Sequence, residues 1–167
     1  MTIPAGTKRV ALDTTSLRGV RILLVEDSFD TRESLRIWLK QNGADVTAVE
    51  SAAEALEALV PVRPHVLLSD IGLPGMSGYA LMRRVRGLPA SDGGQVPSAA
   101  ITAYASPQDR IQAIQAGFWD HVPKPVDLPL LLAVVVNLVR VGASHPAWTN
   151  GVAAASWLPP GAPAGES

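Results

Sequence analysis

The chain has 167 residues and a mass of 17.5 kDa, the length of one ordinary domain, with 14 Lys+Arg against 15 Asp+Glu for a formal net charge of −1. That balance offers no electrostatic case for bulk binding to nucleic acid or a membrane surface, while 47% hydrophobic residues suffice for a core. The lack of cysteine excludes disulfides, thiolate catalysis and thiolate metal sites, and fits a reducing compartment. The longest aliphatic run, Leu130–Val136, falls far short of the roughly 20 residues of a membrane span. Lys8, Arg9 and Asp13 spoil a signal peptide, so the expectation is a soluble cytoplasmic protein.

In chain order, residues 1–17 show no clear period and read as a flexible tail. Val20–Val25 is a nearly continuous apolar run of strand length. A helix is expected over 29–42, with Leu35, Trp38 and Leu39 at helical spacing and a stop at Asn42-Gly43. Asp45–Val49 alternates as a strand, and Ser51 with Glu54 forms a capping box that opens a helix to about Leu59. After Pro64, the run from His65 to Ser69 is a third strand that ends at Asp70. A Gly/Pro-rich loop, Ile71–Ser77, leads to a helix over Gly78–Arg86, and a loose loop then delivers Ser98–Thr102 as the fourth strand. Ser106, Pro107 and Asp109 start another helix, Phe118–Val122 is the last strand, and Asp127 with Pro129 opens a final helix to about Val141. Residues 143–167 hold seven Ala, four Pro and three Gly with Glu166 as their one charge, and read as a flexible tail carrying Trp148 and Trp157. The domain therefore spans 18–142. Five strand–helix units with continuous apolar strands require a parallel sheet covered on both faces, an α/β fold.

In such sheets ligands bind at the carboxyl ends of the strands. The residues expected there are Glu26 and Asp27 after the first strand, Asp70 after the third, Thr102 after the fourth and Lys124 after the fifth. Close carboxylates repel by about 4 kcal/mol per pair at an effective dielectric near 20. A hard divalent cation such as Mg2+, taking few carboxylates plus water and phosphate, offsets that repulsion. A metal, a lysine and a hydroxyl around one carboxylate suit a trigonal phosphoryl group, and Asp70, standing apart from the acidic pair, is the better nucleophile. No Walker loop or GxGxxG is present, so nothing supports nucleotide binding.

The blocks LLVEDS (23–28), DIGLPGMSGYAL (70–81), ITAYA (101–105) and KP (124–125) resemble the response-regulator receiver domain, in order and spacing, over residues 18–142. The match is nearest to receivers that stand alone or accompany hybrid histidine kinases. The resemblance implies a doubly wound, flavodoxin-like (βα)5 fold with strand order 2-1-3-4-5. It implies that Asp70 accepts phosphate from the phosphohistidine of a sensor histidine kinase or histidine phosphotransfer protein. Asp27 would hold Mg2+ directly and Glu26 through water, with Asp70 and the backbone carbonyl of Gly72 completing the set. Thr102 would act as the switch, Lys124 would pair with the phosphoryl group, and the Lys124-Pro125 bond can be cis. Two positions depart from the family pattern. The switch aromatic three residues before the lysine is replaced by His121, which can titrate, and Tyr104 is not its substitute. Gly72 offers no side chain to orient a water.

Each of these residues also has a plainer reading. An acidic pair before a helix is favoured by the helix dipole, and a lone lysine or threonine at a strand end is ordinary. Only the set together carries the chemistry. His121 also reads as a half-buried structural residue, and His65 and His145 lack metal spacing. On the final helix, Leu128, Leu131, Leu132, Val135, Leu138 and Val139 form one apolar face. Leu130, Val134 and Val141 form a second face, suited to a second copy of the chain or to the tail. Two other functions stay open. One is a docking module that is never phosphorylated; the other is a metal-dependent phosphohydrolase working through an aspartyl-phosphate, for which the chain shows neither a general acid beside Asp70 nor a cap domain. No helix-turn-helix or catalytic output module fits within residues 143–167, so output is expected through protein contacts.

Overall fold

The computed structural model describes residues 17–103 and 106–143. Hydrophobic period sets the elements in turn: β1 (Arg21–Val25), α1 (Phe29–Gln41), β2 (Asp45–Val49), α2 (Ala52–Val62), β3 (Val66–Asp70), α3 (Gly78–Arg86), β4 (Ser98–Thr102), α4 (Pro107–Ala116), β5 (Asp120–Pro123) and α5 (Leu128–Ala143). The strands form one five-stranded sheet in the order β2-β1-β3-β4-β5, with every pairing parallel. This is the expected doubly wound arrangement.

Continuous apolar strands are needed because successive side chains serve different faces. Ile22 and Leu24 of β1 pack with α1 and α5 through Leu35, Leu39, Leu131 and Val135. Leu23 and Val25 pack on the other face with Leu59, Leu81, Met82 and Val85 of α2 and α3, where Ala113 and Ala116 of α4 also lie. Helix starts follow from local chemistry. The Ser77 hydroxyl accepts the Ala80 N–H at 3.2 Å, and Ser106 with Asp109 forms a complete capping box. Ser51 makes only half of the expected box. Its hydroxyl accepts the Glu54 N–H at 3.1 Å, but the Glu54 carboxylate accepts from Glu50, not from Ser51.

Several boundaries differ from the sequence reading. α2 runs past Leu59 to Val62, taking Pro61 into its exposed last turn, and Arg63 in the left-handed conformation ends it. β5 begins at Asp120, since Phe118 is buried below the strand among α4 residues rather than in the ladder. The loop before β4 holds an unanticipated 3-10 turn, Ala90–Asp92. Leu17, which the sequence reading places in the N-terminal tail, is fully buried and donates its N–H to Asn42 at 3.1 Å. His65, without an evident role in sequence, is fully buried; its Nδ1 accepts the Arg21 N–H at 2.9 Å and extends the β1–β3 pairing downward.

The second apolar face expected on α5 splits. Val134 is 7% exposed and belongs to the core with Leu131 and Val135, because the helix lies on a broad sheet that covers more than one narrow stripe. Leu130 and Val141 remain on the outside at 40% and 47% exposure, beside Asn137 and Arg140, which hydrogen-bond to each other. Trp148, Trp157, His145 and Tyr104 lie outside the described residues, as do the rest of both expected tails. Among the described residues, no helix is long and apolar enough to cross a membrane.

Candidate functional site

All strand ends meet at one edge of the sheet, and the chain turns there into its helices. Glu26 follows β1 and still donates its N–H to Val49 of β2 at 3.1 Å, so its side chain is directed inward and is only 1% exposed. Asp27, one residue on, is exposed. Asp70 closes β3 and is buried. Carboxylate oxygens of Glu26, Asp27 and Asp70 lie within 4.8 Å of one another. The Lys124 ammonium bridges two of them, 3.0 Å from Asp70 Oδ2 and 3.1 Å from Glu26 Oε1.

Backbone groups hold this cluster in register. The Gly72 N–H donates to Asp70 Oδ1 at 3.2 Å, and the Ser28 N–H donates to Glu26 Oε2 at 3.1 Å. The Lys124 N–H donates to the Thr102 carbonyl at 2.8 Å, which fixes the lysine beside β4, and the Lys124-Pro125 bond is cis. Thr102 is buried at the end of β4. His121 pairs with Ala100 on β4, so it shares a sheet face with Thr102 and stands two residues below it in the register, half-buried.

Burial pushes the Glu26 carboxyl above its usual range, and the Asp70 charge adds to this, against the Ser28 N–H and Lys124, which favour the charged form. Burial alone would lower the Lys124 ammonium, but its hydrogen bonds and charge contacts with Asp70 and Glu26 prevail and raise it. Three carboxylates converge here around one ammonium, so the cluster has more acidic groups than cations. That donor set of oxygens fits a hard divalent cation.

Sequence reasoning did not find Arg32. Its guanidinium reaches back from α1 and donates to the Glu26 carbonyl at 2.9 Å, with its face 5.5 Å from the Phe29 ring. Nothing in the chain distinguishes it from an ordinary surface arginine. A groove of about 400 Å3 opens beside Lys124, with Leu35 and Leu128 among its walls and Asp30 and Ser34 at its side.

A family model described as the response regulator receiver domain matches residues 22–136. A 14.6 kDa protein from the sodA1 3′ region of Leptolyngbya boryana is 45% identical over 122 residues, which is 73% of this chain and 91% of that protein. The response regulator MprA of Mycobacterium ulcerans is 38% identical over 73% of this chain, and the chain spans 51% of MprA. Among solved structures, the receiver domain of the sensor histidine kinase PA1611 from Pseudomonas aeruginosa, with a magnesium ion in its active site cleft, is 31% identical with a TM-score of 0.66. That match covers 72% of this chain and 98% of the other. The receiver domain of a signal transduction histidine kinase from Syntrophus aciditrophicus is 32% identical with a TM-score of 0.65, covering 72% and 89%. The chain belongs to the response regulator receiver domain family, the signalling modules of two-component systems.

Proposed function

We propose that Asp70 is the phosphoacceptor of this chain and that its phosphorylation, assisted by Mg2+, switches protein–protein contacts. The observation that carries the reading is the single ammonium of Lys124 shared between Asp70 and Glu26 in a cluster of three carboxylates. An Asp70 oxygen attacks the phosphorus of a phosphohistidine, the P–N bond breaks, and the imidazole departs with that electron pair, neutral once its other nitrogen carries a proton. Glu26, Asp27, Asp70 and the Gly72 carbonyl are the residues to hold Mg2+. The ion, when bound, neutralises the acidic cluster and stabilises charge on the phosphoryl oxygens.

Lys124 then exchanges a carboxylate oxygen for a phosphoryl oxygen, and the Thr102 hydroxyl turns toward the group as the switch. His121 supplies the adjoining ring on the same sheet face. A phosphoryl group of about −2 charge draws Thr102 and Lys124 together and moves the loops that carry them. The donor is a sensor histidine kinase or a histidine phosphotransfer protein.

The test is incubation with acetyl phosphate and Mg2+, read by intact mass. One phosphoryl group is expected on the wild-type chain, and none after EDTA treatment or in Asp70→Ala. An unlabelled wild type, or equal labelling of Asp70→Ala, overturns the reading.

A further inference from the structure

We infer that Gly78 is a positioning residue for Asp70: the hydrogen in place of its side chain lets the first turn of α3 press on the backbone that carries the acceptor. The inference rests on the reading of Asp70 as a phosphoacceptor beside a divalent ion. A Cβ at position 78 would overlap the Asp70 carbonyl oxygen, and would lie 2.8 Å from Ile71 Cα and 3.1 Å from the Asp70 carbonyl carbon. These three neighbours are backbone atoms, so no side-chain rotation can make room. Gly78 is not among the glycines with positive φ, so the requirement is for space and not for an unusual conformation.

The close approach clamps the loop that forms part of the site. The Gly78 N–H donates to the Ile71 carbonyl at 2.8 Å, the Leu73 N–H donates to the same oxygen at 2.9 Å, and the Ile71 N–H reaches Ile101 of β4 at 3.2 Å. Gly72 lies inside this clamp, with its N–H on the Asp70 carboxylate and its carbonyl in the expected metal set. Any displacement of Ile71 therefore moves the Asp70 carboxylate and the Gly72 carbonyl together. The Ser77 hydroxyl, which caps Ala80, holds the helix start at the same place.

Gly94 provides a matched control. A Cβ there would overlap the Leu88 carbonyl oxygen and lie 2.9 Å from the Leu88 carbonyl carbon, a clash of the same kind. Gly94 precedes β4, at the opposite edge of the sheet from the carboxylates.

The experiment measures Mg2+ affinity by calorimetric titration of metal-free protein, labelling by acetyl phosphate, and thermal midpoint for wild type, Gly78→Ala and Gly94→Ala. Both variants are expected to melt at lower temperature. Only Gly78→Ala is expected to bind Mg2+ about tenfold or more weakly and to label more slowly, the size seen when groups that orient metal ligands are lost. Gly78→Ala binding Mg2+ within about twofold of wild type, or Gly94→Ala losing as much affinity as Gly78→Ala, overturns the inference while leaving the phosphoacceptor reading intact. Should Gly78→Ala fail to fold, Ser77→Ala loosens the same helix start without adding an atom. It is expected to weaken Mg2+ several-fold, and an unchanged affinity overturns the inference. A wild-type chain that neither binds Mg2+ nor labels defeats both.

Discussion

Lys124→Met tests the electrostatics of the site directly. The substitution keeps much of the apolar stem and removes the charge that lies 3.0 Å from Asp70 and 3.1 Å from Glu26, whose side chains are 9% and 1% exposed. Each contact is worth roughly 5 kcal/mol of Coulomb energy at an effective dielectric near 20, before desolvation is subtracted. Breaking a fully buried pair costs about 3–5 kcal/mol. The lysine side chain is 28% exposed, so water screens part of the loss, and about 2–4 kcal/mol is expected without metal. For a domain of this size that is a fall in Tm of roughly 6–14 °C. Thermal unfolding followed by circular dichroism at neutral pH in EDTA measures it. Saturating Mg2+ supplies the missing positive charge, so it should raise the Tm of the variant by more than that of wild type. A variant that melts within about 2 °C of wild type in EDTA, or equal gains from Mg2+, would refute the reasoning.

The raised Glu26 carboxyl favours the folded state below its ordinary value of 4.5, and this contribution is lost as pH rises through the higher folded value. Glu26→Gln should therefore lack that loss of stability in metal-free melts as pH rises above 4.5, and should bind Mg2+ more weakly; a variant that keeps the wild-type pH profile counts against it. Lys124 is also raised, so the stability it supplies is present below its ordinary 10.5 and fades as pH rises past the higher folded value. Alkaline melts of metal-free wild type should show that decline, and Lys124→Met should lack it. Arg86, whose guanidinium burial pushes down to about 10, donates to the Gly117 and Gly94 carbonyls and to the Ser98 hydroxyl. Arg86→Met strands these acceptors and should cost about 2–4 kcal/mol, read as a lower urea midpoint at unchanged slope; a loss under about 1 kcal/mol would show that these bonds add little. Ser106→Ala removes one half of a complete capping box and should cost about 1 kcal/mol in the same assay, with no change indicating a frayed α4 start.

Most elements were legible because their signals are local. The run Val20–Val25 is apolar throughout, as a strand buried on both faces must be, and Ser106-Pro107 marks a helix start through its own backbone chemistry. The errors arise where packing overrides local pattern. Phe118 is apolar and next to β5, yet the space under α4 takes it out of the ladder. Val134 fell on the wrong face because a helical stripe drawn from the sequence does not know how wide a sheet it will meet. Arg32 and Gly78 were missed for a related reason. One acts on carbonyls several residues back, the other through an absent atom, and neither leaves a mark on composition or period.

The amino-acid sequence by itself determined which side chains follow each strand, and a parallel sheet then obliges Glu26, Asp27, Asp70, Thr102 and Lys124 to share one edge. Local hydrophobic period is enough for that. Only the tertiary structure decided that Glu26 is buried while its neighbour Asp27 is exposed, and that one ammonium serves two carboxylates 98 and 54 residues away in the chain. It also decided that α3 lies too close to Asp70 for any side chain at position 78. Desolvation, Coulomb energy and steric contact all depend on distance through space, and chain order carries no record of it until the sheet is assembled.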